Sequence, residues 1–323
     1  MPKISVVIPT FNAGLHIQAT LSSILAQEDA DFEVLILDDA STDNTLDLIR
    51  DIGDKRVKIY RHENNQGRIV NANRAFSLAS GEYVARLDHD DIADPRRLFQ
   101  QARFLDEHPQ ITVVGSQIQH FGLQQGNSDF PLEDGRIKAR FVSGDAYLAN
   151  PSVMFRHDFI QRNVLRYDPN LYITDDLGFW FDCLLLGARF ANLPNALTSY
   201  RIHEGMTSMN LDADLLYRGK ERLYARLLPA FFPRLSGHDI RNLMPLYKYK
   251  VDAPLEPESL RALHRSVAVA LREVNLGWGL DIEETKACLV SLLNRLRAEW
   301  VQADHLDAKD IAALDREFYL ALQ

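Results

Sequence analysis

Cysteine is scarce in this chain of 323 residues: Cys183 and Cys288 are the only two. Each sits in an apolar run, Phe181 to Leu186 and Ala287 to Val290, which argues against a disulfide framework or a zinc site and suits two buried thiols in a reducing compartment. Long apolar runs are also missing. No window approaches the roughly 18–20 continuous apolar residues that cross a bilayer, and the run Ile4 to Ile8, stopped by Pro9, is too short for a signal-peptide core and reads as a first strand. Positive charge is in deficit: 36 Lys and Arg stand against 45 Asp and Glu, a formal charge of −9 that argues against general attraction to nucleic acid or anionic lipid. Absent after the first strand are the Gly-x-Gly-x-x-Gly of a dehydrogenase, the Gly-Lys-Ser/Thr of a P-loop enzyme and the Gly-rich, Arg-bearing loop of a sugar-phosphate nucleotidyltransferase. What remains is the composition of a folded, cytoplasmic protein, 46% hydrophobic and 25% charged.

Up to about residue 110, short β-branched runs alternate with amphipathic stretches, the pattern of βα units and a mostly parallel sheet. Strands are expected at Ile4 to Ile8, Glu33 to Leu37, Val57 to Tyr60 and Tyr83 to Leu87. Helical spacing links Leu15, Ile17, Leu21, Ile24 and Leu25, then Leu46, Ile49 and Ile52, then Ile69, Ala72, Phe76 and Ala79. Ser41 is placed to cap the second helix and Asp94-Pro95 to start the fourth. From Ile111 the order is mixed, with strands near Ile111 to Val114, Ser152 to Phe155 and Arg189 to Leu193 and helices over Arg136 to Gly144 and Asp175 to Leu186. Beyond about Asn210 only helical periodicity is left, in Leu215 to Leu228, Leu260 to Val274 and Glu283 to Val301, punctuated by Pro229, Pro233, Pro245, Pro254 and Pro257. The expected division is 1–210, with halves of about 1–110 and 111–210, followed by a helical extension over 211–323.

Ligands of open α/β sheets bind outside the carboxyl ends of the strands, and three such ends are unusually polar. They read Pro9-Thr10-Phe11-Asn12, Asp38-Asp39-Ala40-Ser41-Thr42-Asp43 and Asp88-His89-Asp90-Asp91. One of these alone would be a cap or a turn. Together they crowd carboxylates that repel one another unless a cation or hydrogen-bond donors compensate. A divalent ion is the economical answer: oxygen ligands select Mg²⁺ or Mn²⁺, ions that sit between one or two carboxylates and substrate phosphates. A diphosphate-bearing substrate follows.

With those ends the chain resembles the family 2 glycosyltransferases, inverting enzymes of the GT-A fold, a Rossmann-like α/β fold with a mostly parallel central sheet and flanking helices. The resemblance covers about residues 3–208. It rests on Ser5 to Asn12, Asp38 to Asp43, Gly81 to Asp91, Ser152 to Arg156, Asp175-Asp176 with Phe179-Trp180, and Tyr200-Arg201-Ile202-His203 with Ser208. It implies a nucleotide pocket lined by Pro9, Thr10 and Asn12, with Asp39 accepting from the base. It further implies that Asp88 reaches ribose or metal, that Asp90 binds the metal, and that His203 stands near the metal or diphosphate. Arg201 and Arg86 are candidates for the diphosphate, or else partners of neighbouring acids. Arg68, beside the recurrent glycine at Gly67, and Asn73, at a recurrent asparagine, join the donor set; Ala75 stands where many relatives have Gly.

Inversion by direct displacement needs a base for the acceptor hydroxyl. The family places it at the pair Asp175-Asp176, usually Glu-Asp, and the second member, Asp176, is the expected base with Asp175 as runner-up; a plain helix cap is the alternative. The implied cofactor is Mn²⁺ or Mg²⁺. The implied partners are a nucleotide sugar, with UDP ahead of dTDP and GDP, and a saccharide or lipid-linked saccharide acceptor. A catalytically silent scaffold that binds nucleotide sugar is the non-enzymatic alternative, disfavoured because Asp88, Asp90 and Asp176 are present. For the tail, Leu227 to Pro233 and Tyr247 to Lys250 offer apolar and basic groups to a membrane surface, at the inner face of which the enzyme would be peripheral. Packing within the protein or against a second subunit is the favoured reading of those segments.

Overall fold

The computed structural model describes residues 2–145, 147–171, 173–248, 255–302, 309, 312–316 and 318. They form two compact units, one of 1–137, 146–169 and 182–210, the other of 138–145, 170–181 and 211–323.

The first unit carries a nine-stranded sheet. Its strands are β1 (Ile4–Thr10), β2 (Phe32–Asp38), β3 (Val57–Arg61), β4 (Tyr83–Arg86), β5 (Ile92–Ala93), β6 (Val113–Gly122), β7 (Gly126–Asn127), β8 (Met154–Arg156) and β9 (Phe190–Ile202). The order is β3-β2-β1-β4-β8-β6-β9-β5, with β7 paired to β6. Strands β3, β2, β1 and β4 run parallel, β8 is antiparallel to both its neighbours, and β6 and β9 are parallel to each other. Strand β2 is buried along its whole length, and β1 nearly so. A strand covered on both faces reads as a continuous β-branched run. Helices α1 (Ile17–Leu25), α2 (Thr45–Ile52), α3 (Arg68–Leu78) and α4 (Arg97–Glu107) follow the parallel strands. Val6, Ile8, Ile17, Leu21, Ile24, Val34, Ile36, Leu87, Leu98 and Leu105 form one apolar core, each side chain contributing about 1.5–3 kcal/mol by burial.

Three local expectations change. Leu15 is 86% exposed, because the chain makes a turn at Ala13–His16 and α1 begins only at Ile17. Ser41 does not cap α2, whose N-cap is Asn44; its hydroxyl accepts instead from the Asn12 amide. Strand β9 runs past Leu193 to Ile202, because Pro194 and Asn195 lie in a bulge where the pairing jumps from Ser116↔Leu193 to Gln117↔Ala196.

Helices α5 (Asp134–Ala139), α6 (His157–Arg162) and α7 (Asp175–Leu185) lie in the middle of the chain. The C-terminal part holds α8 (Ala213–Phe231), α9 (Gly237–Leu243), α10 (Pro257–Leu271) and α11 (Ile282–Gln302). Pro229 lies inside the last turn of α8 rather than ending it. Helix α9 starts from a capping box in which Ser236 and Asp239 exchange hydrogen bonds. In the second unit Leu223, Leu227, Phe231, Leu263, Val267, Leu289, Leu293 and Trp300 are buried. Leu227, Leu228, Phe231 and Phe232 are each 0% exposed, so the segment weighed for a membrane surface spends its apolar groups on the interior of the protein. Tyr247 is buried and Lys248 lies over the Tyr217 ring, while Tyr249, Lys250 and Pro254 fall outside the described residues. Both cysteines are free and buried, and burial pushes both thiols up, that of Cys288 to about 11. Among the described residues no helix is long and apolar enough to cross a membrane.

Candidate active site

Three loops leave the carboxyl edge of the parallel sheet next to one another, because β1 pairs with both β2 and β4. The first two are laced together. The Asn12 amide donates to Ser41 Oγ at 2.9 Å, Thr42 N donates to Asn12 Oδ1 at 2.9 Å, Ala13 N donates to Thr45 Oγ1 at 2.7 Å and Gly14 N donates to Asp43 Oδ2 at 3.0 Å. Asn12 and Ala40 adopt positive φ, 48° and 62°, a conformation that non-glycine residues keep only where surrounding bonds impose it. Thr10 is buried, and Phe11 is 43% exposed.

Asp39 is buried and accepts from Gln66 N and Gly67 N, both at 2.8 Å, so it pins the loop that starts α3. Each carboxylate oxygen of Asp39 keeps a second lone pair beyond these bonds. Gly67 has φ +86°, which only glycine adopts readily, and exposed Arg68 opens the helix after it. Asn73 turns to the main chain of Tyr167, donating to its carbonyl at 3.0 Å and accepting from its amide at 2.7 Å. Arg86 donates to the Tyr167 hydroxyl at 2.9 Å and reaches Asp88 Oδ1 at 3.4 Å.

The third loop carries the acids. His89 Nδ1 stands 3.2 Å from the Pro9 carbonyl, and the His89 carbonyl accepts from Thr20 Oγ1 at 2.9 Å, so the loop is fixed to β1 and α1. Immediately afterwards the two residues of β5 pair with Thr198 and Ser199 of β9. That short pairing brings the end of β9 onto the acids. Arg201 N donates to Asp91 Oδ1 at 2.8 Å, Arg201 Nε donates to the Asp90 carbonyl at 2.8 Å, and His203 Nε2 lies 2.9 Å from Asp90 Oδ2. Asp91 is 1% exposed, and its Oδ2 has no hydrogen-bond partner among the described residues. Burial, then the charges of Asp88 and Asp90, push its carboxyl well above the usual carboxylate range. Arg97, fully buried beneath, donates to the Arg86 carbonyl at 2.5 Å, and burial pulls its guanidinium down to about 10.

No local pattern marks His16, whose ring packs edge-on against His203 at 5.1 Å between centroids. Burial, then the nearby Arg201 and His203, lower its imidazole. A lone histidine before a helix has no pattern to reveal it. Nor did spacing reveal Tyr167, which joins Asn73 to Arg86.

Among the described residues no group of three or more His, Cys, Asp or Glu closes into a metal cage. The donor set nonetheless fits a hard divalent ion that takes its other ligands from phosphate and water. Asp90 Oδ2 and His203 Nε2 stand 2.9 Å apart, the separation of adjacent ligands on an octahedral ion, about 3 Å when each bond is near 2.1 Å. Asp88, two residues away and partly exposed, supplies a further carboxylate. Imidazole beside carboxylate suits Mn²⁺ better than Mg²⁺.

Asp175 and Asp176 stand in the first turn of α7, Asp175 buried and Asp176 half-buried, and Leu177 N donates to Asp176 Oδ1 at 2.7 Å. Negative charge there is favoured by the helix terminus. The side chain of Ser208 falls outside the described residues.

At the ends of the parallel strands the acids are met by Arg201 and His203, and the chain can be compared with known proteins. The model of Glycosyl transferase family 2 matches residues 5–150. It is similar to the UDP-Glc:alpha-D-GlcNAc-diphosphoundecaprenol beta-1,3-glucosyltransferase WfaP of Escherichia coli, 26% identical over 73% of this chain and 94% of that one. Its fold is similar to that of Staphylococcus aureus TarS 1–349, solved with UDP-GlcNAc, at TM-score 0.63 and 20% identity over 93% and 92% of the two chains. It is also similar to that of Mycobacterium tuberculosis glucosyl-3-phosphoglycerate synthase, solved with Mn²⁺, UDP and glucosyl-3-phosphoglycerate, at TM-score 0.53 and 19% identity over 70% and 80%. The architecture is GT-A, with helices at the C-terminal end, and the protein is a glycosyltransferase.

Proposed function

We propose that the protein moves a hexose-type sugar, with inversion, from a nucleoside-diphosphate sugar, UDP-sugar first, to a saccharide or lipid-linked saccharide acceptor in polysaccharide synthesis. The observation that carries the reading is the meeting of Asp90 with His203 and Arg201 at the carboxyl edge of the sheet. The relatives lend support: WfaP is named for a UDP-glucose donor and a diphosphoundecaprenol-linked acceptor, and TarS was solved with UDP-GlcNAc.

In this reading Pro9, Thr10, Asn12 and Asp39 receive the nucleoside, Arg68, Arg86 and Arg201 face the diphosphate, and Asp88 approaches the ribose. Asn73, by contrast, serves the fold, holding the main chain at Tyr167. Asp88, Asp90 and His203 would hold a divalent ion, Mn²⁺ or Mg²⁺, which supplies Lewis-acid neutralisation of the departing diphosphate. Asp176 takes the proton of the attacking acceptor hydroxyl, leaving Asp175 to anchor the helix turn. The domain division at 210, with 211–323 as a helical extension, belongs to the same proposal, as does a cytoplasmic site of action, which the two buried free thiols suit.

The test is release of nucleoside diphosphate from a panel of nucleotide sugars with a pool of saccharide acceptors, with and without Mn²⁺, with the product anomer read by NMR. Metal-dependent release from UDP-sugars and an inverted product are expected. Metal-independent release, or retention, overturns the mechanism.

A further inference from the structure

We infer that Phe121, a residue outside every motif of the family resemblance, is a positioning residue for donor binding: it holds the Arg201 guanidinium in the plane from which it meets the diphosphate. The inference rests on the reading that Arg201 faces the diphosphate.

Strands β6 and β9 are parallel, and Phe121 is the register partner of Arg201, so the two side chains leave the same face of the sheet. The guanidinium carbon lies 4.3 Å from the centre of the Phe121 ring. Arg201 is thus fastened in three ways: its main-chain N–H to Asp91 Oδ1, its Nε to the Asp90 carbonyl, and its guanidinium carbon over an aromatic ring. The ribbon itself is firm at this point. Gly122 has φ +95°, a Cβ there would come within 2.4 Å of the Ile202 carbonyl oxygen, and Leu123 N donates to that same oxygen at 2.9 Å.

The choice of an aromatic group matters because of what it leaves unused. A carboxylate could also hold an arginine, but it would consume N–H donors and cancel the charge. A ring attracts the cation through its face while all in-plane donors stay available. Nη1 and Nη2 of Arg201 have no hydrogen-bond or ion-pair partner among the described residues, and the side chain is only half-buried. Such a fork, held in one plane, is what binds phosphate oxygens in bidentate fashion. Without the ring, the guanidinium would swing about its single Nε bond and pay rotational freedom on each binding event.

The experiment is calorimetric titration of the full chain with UDP in the presence of Mn²⁺, together with donor KM and kcat, for wild type, Phe121→Leu, Phe121→Tyr, Arg201→Ala and the double variant Phe121→Leu/Arg201→Ala. Phe121→Leu is expected to weaken UDP and raise donor KM about two- to fivefold, with kcat and melting temperature unchanged. Phe121→Tyr should restore wild-type binding, and the double variant should bind no worse than Arg201→Ala alone. Wild-type affinity in Phe121→Leu beside weakened Arg201→Ala overturns the role of Phe121, as do additive losses in the double variant. Wild-type affinity in Arg201→Ala overturns the diphosphate reading of Arg201, and the inference with it.

Discussion

Asp90 Oδ2 and His203 Nε2 lie 2.9 Å apart although 113 positions separate them in the chain. An imidazole and a carboxylate that meet at hydrogen-bond distance at the edge of a sheet are either an ion pair or two adjacent ligands, and metal binding tells these apart. His203→Ala and Asp90→Asn are each expected to weaken Mn²⁺ on the order of tenfold or more, read by electron paramagnetic resonance in the presence of UDP. Full Mn²⁺ affinity in both variants would leave the pair a structural tie.

The two acids that start α7 differ in exposure, and their variants should differ in kind. Asp176→Asn is expected to lower kcat by about 10²–10⁴ with donor binding intact. Asp175 is 4% exposed, so Asp175→Asn should show itself chiefly as a lower melting temperature. If Asp176→Asn turns over at the wild-type rate, the base lies elsewhere.

Asn73 brackets Tyr167 through both its carbonyl and its amide. Removing the bracket in Asn73→Ala is expected to cost about 1–3 kcal/mol of unfolding free energy, measured by denaturant titration, with UDP affinity of the folded protein at the wild-type value. Reduced UDP affinity with undiminished stability would return Asn73 to the donor contacts.

Glu33 provides a pH signature remote from the site. Burial alone would raise its carboxyl, but Lys58, Ser80 and Ser5 all donate to it and hold it at about 2, against an ordinary 4.5. The folded value lies below the unfolded one, so this stabilisation is complete above about pH 4.5 and is lost as the pH falls towards 2. With Lys58 half exposed, its size is on the order of 2 kcal/mol. Wild type should therefore exceed Glu33→Gln in stability at about pH 6, by a margin that narrows through about pH 3 and closes only as the pH nears 2, as followed by urea unfolding. A gap that does not change with pH would refute the network.

Much of this was legible in the residues. The strands β1 and β2 announce themselves because burial along nearly their whole length demands apolar, β-branched runs, and the acids at the strand ends do so because strand ends rarely collect carboxylates. The end of β9 was hidden because Pro194-Asn195 reads as a terminator, whereas the sheet absorbs it as a bulge. Leu15 keeps helical spacing with Leu21 and Ile24 yet precedes the helix, since spacing says nothing of where the first turn closes. Helix α9 is short and carried a single cap as its signal. The pairs Asn73 with Tyr167, His16 with His203 and Phe121 with Arg201 join residues far apart in the chain, and no local period encodes such meetings.

The order of the sheet has one more consequence. It ends at one side on β3, five residues long, where Lys58 and Arg61 are about half exposed, and at the other on the two residues of β5. A strand from another molecule that added itself to β3 would have to strip water from both cations, and β5 is too brief to template anything. Open sheets invite edge-to-edge aggregation, and this one is guarded at both borders by charge and by shortness.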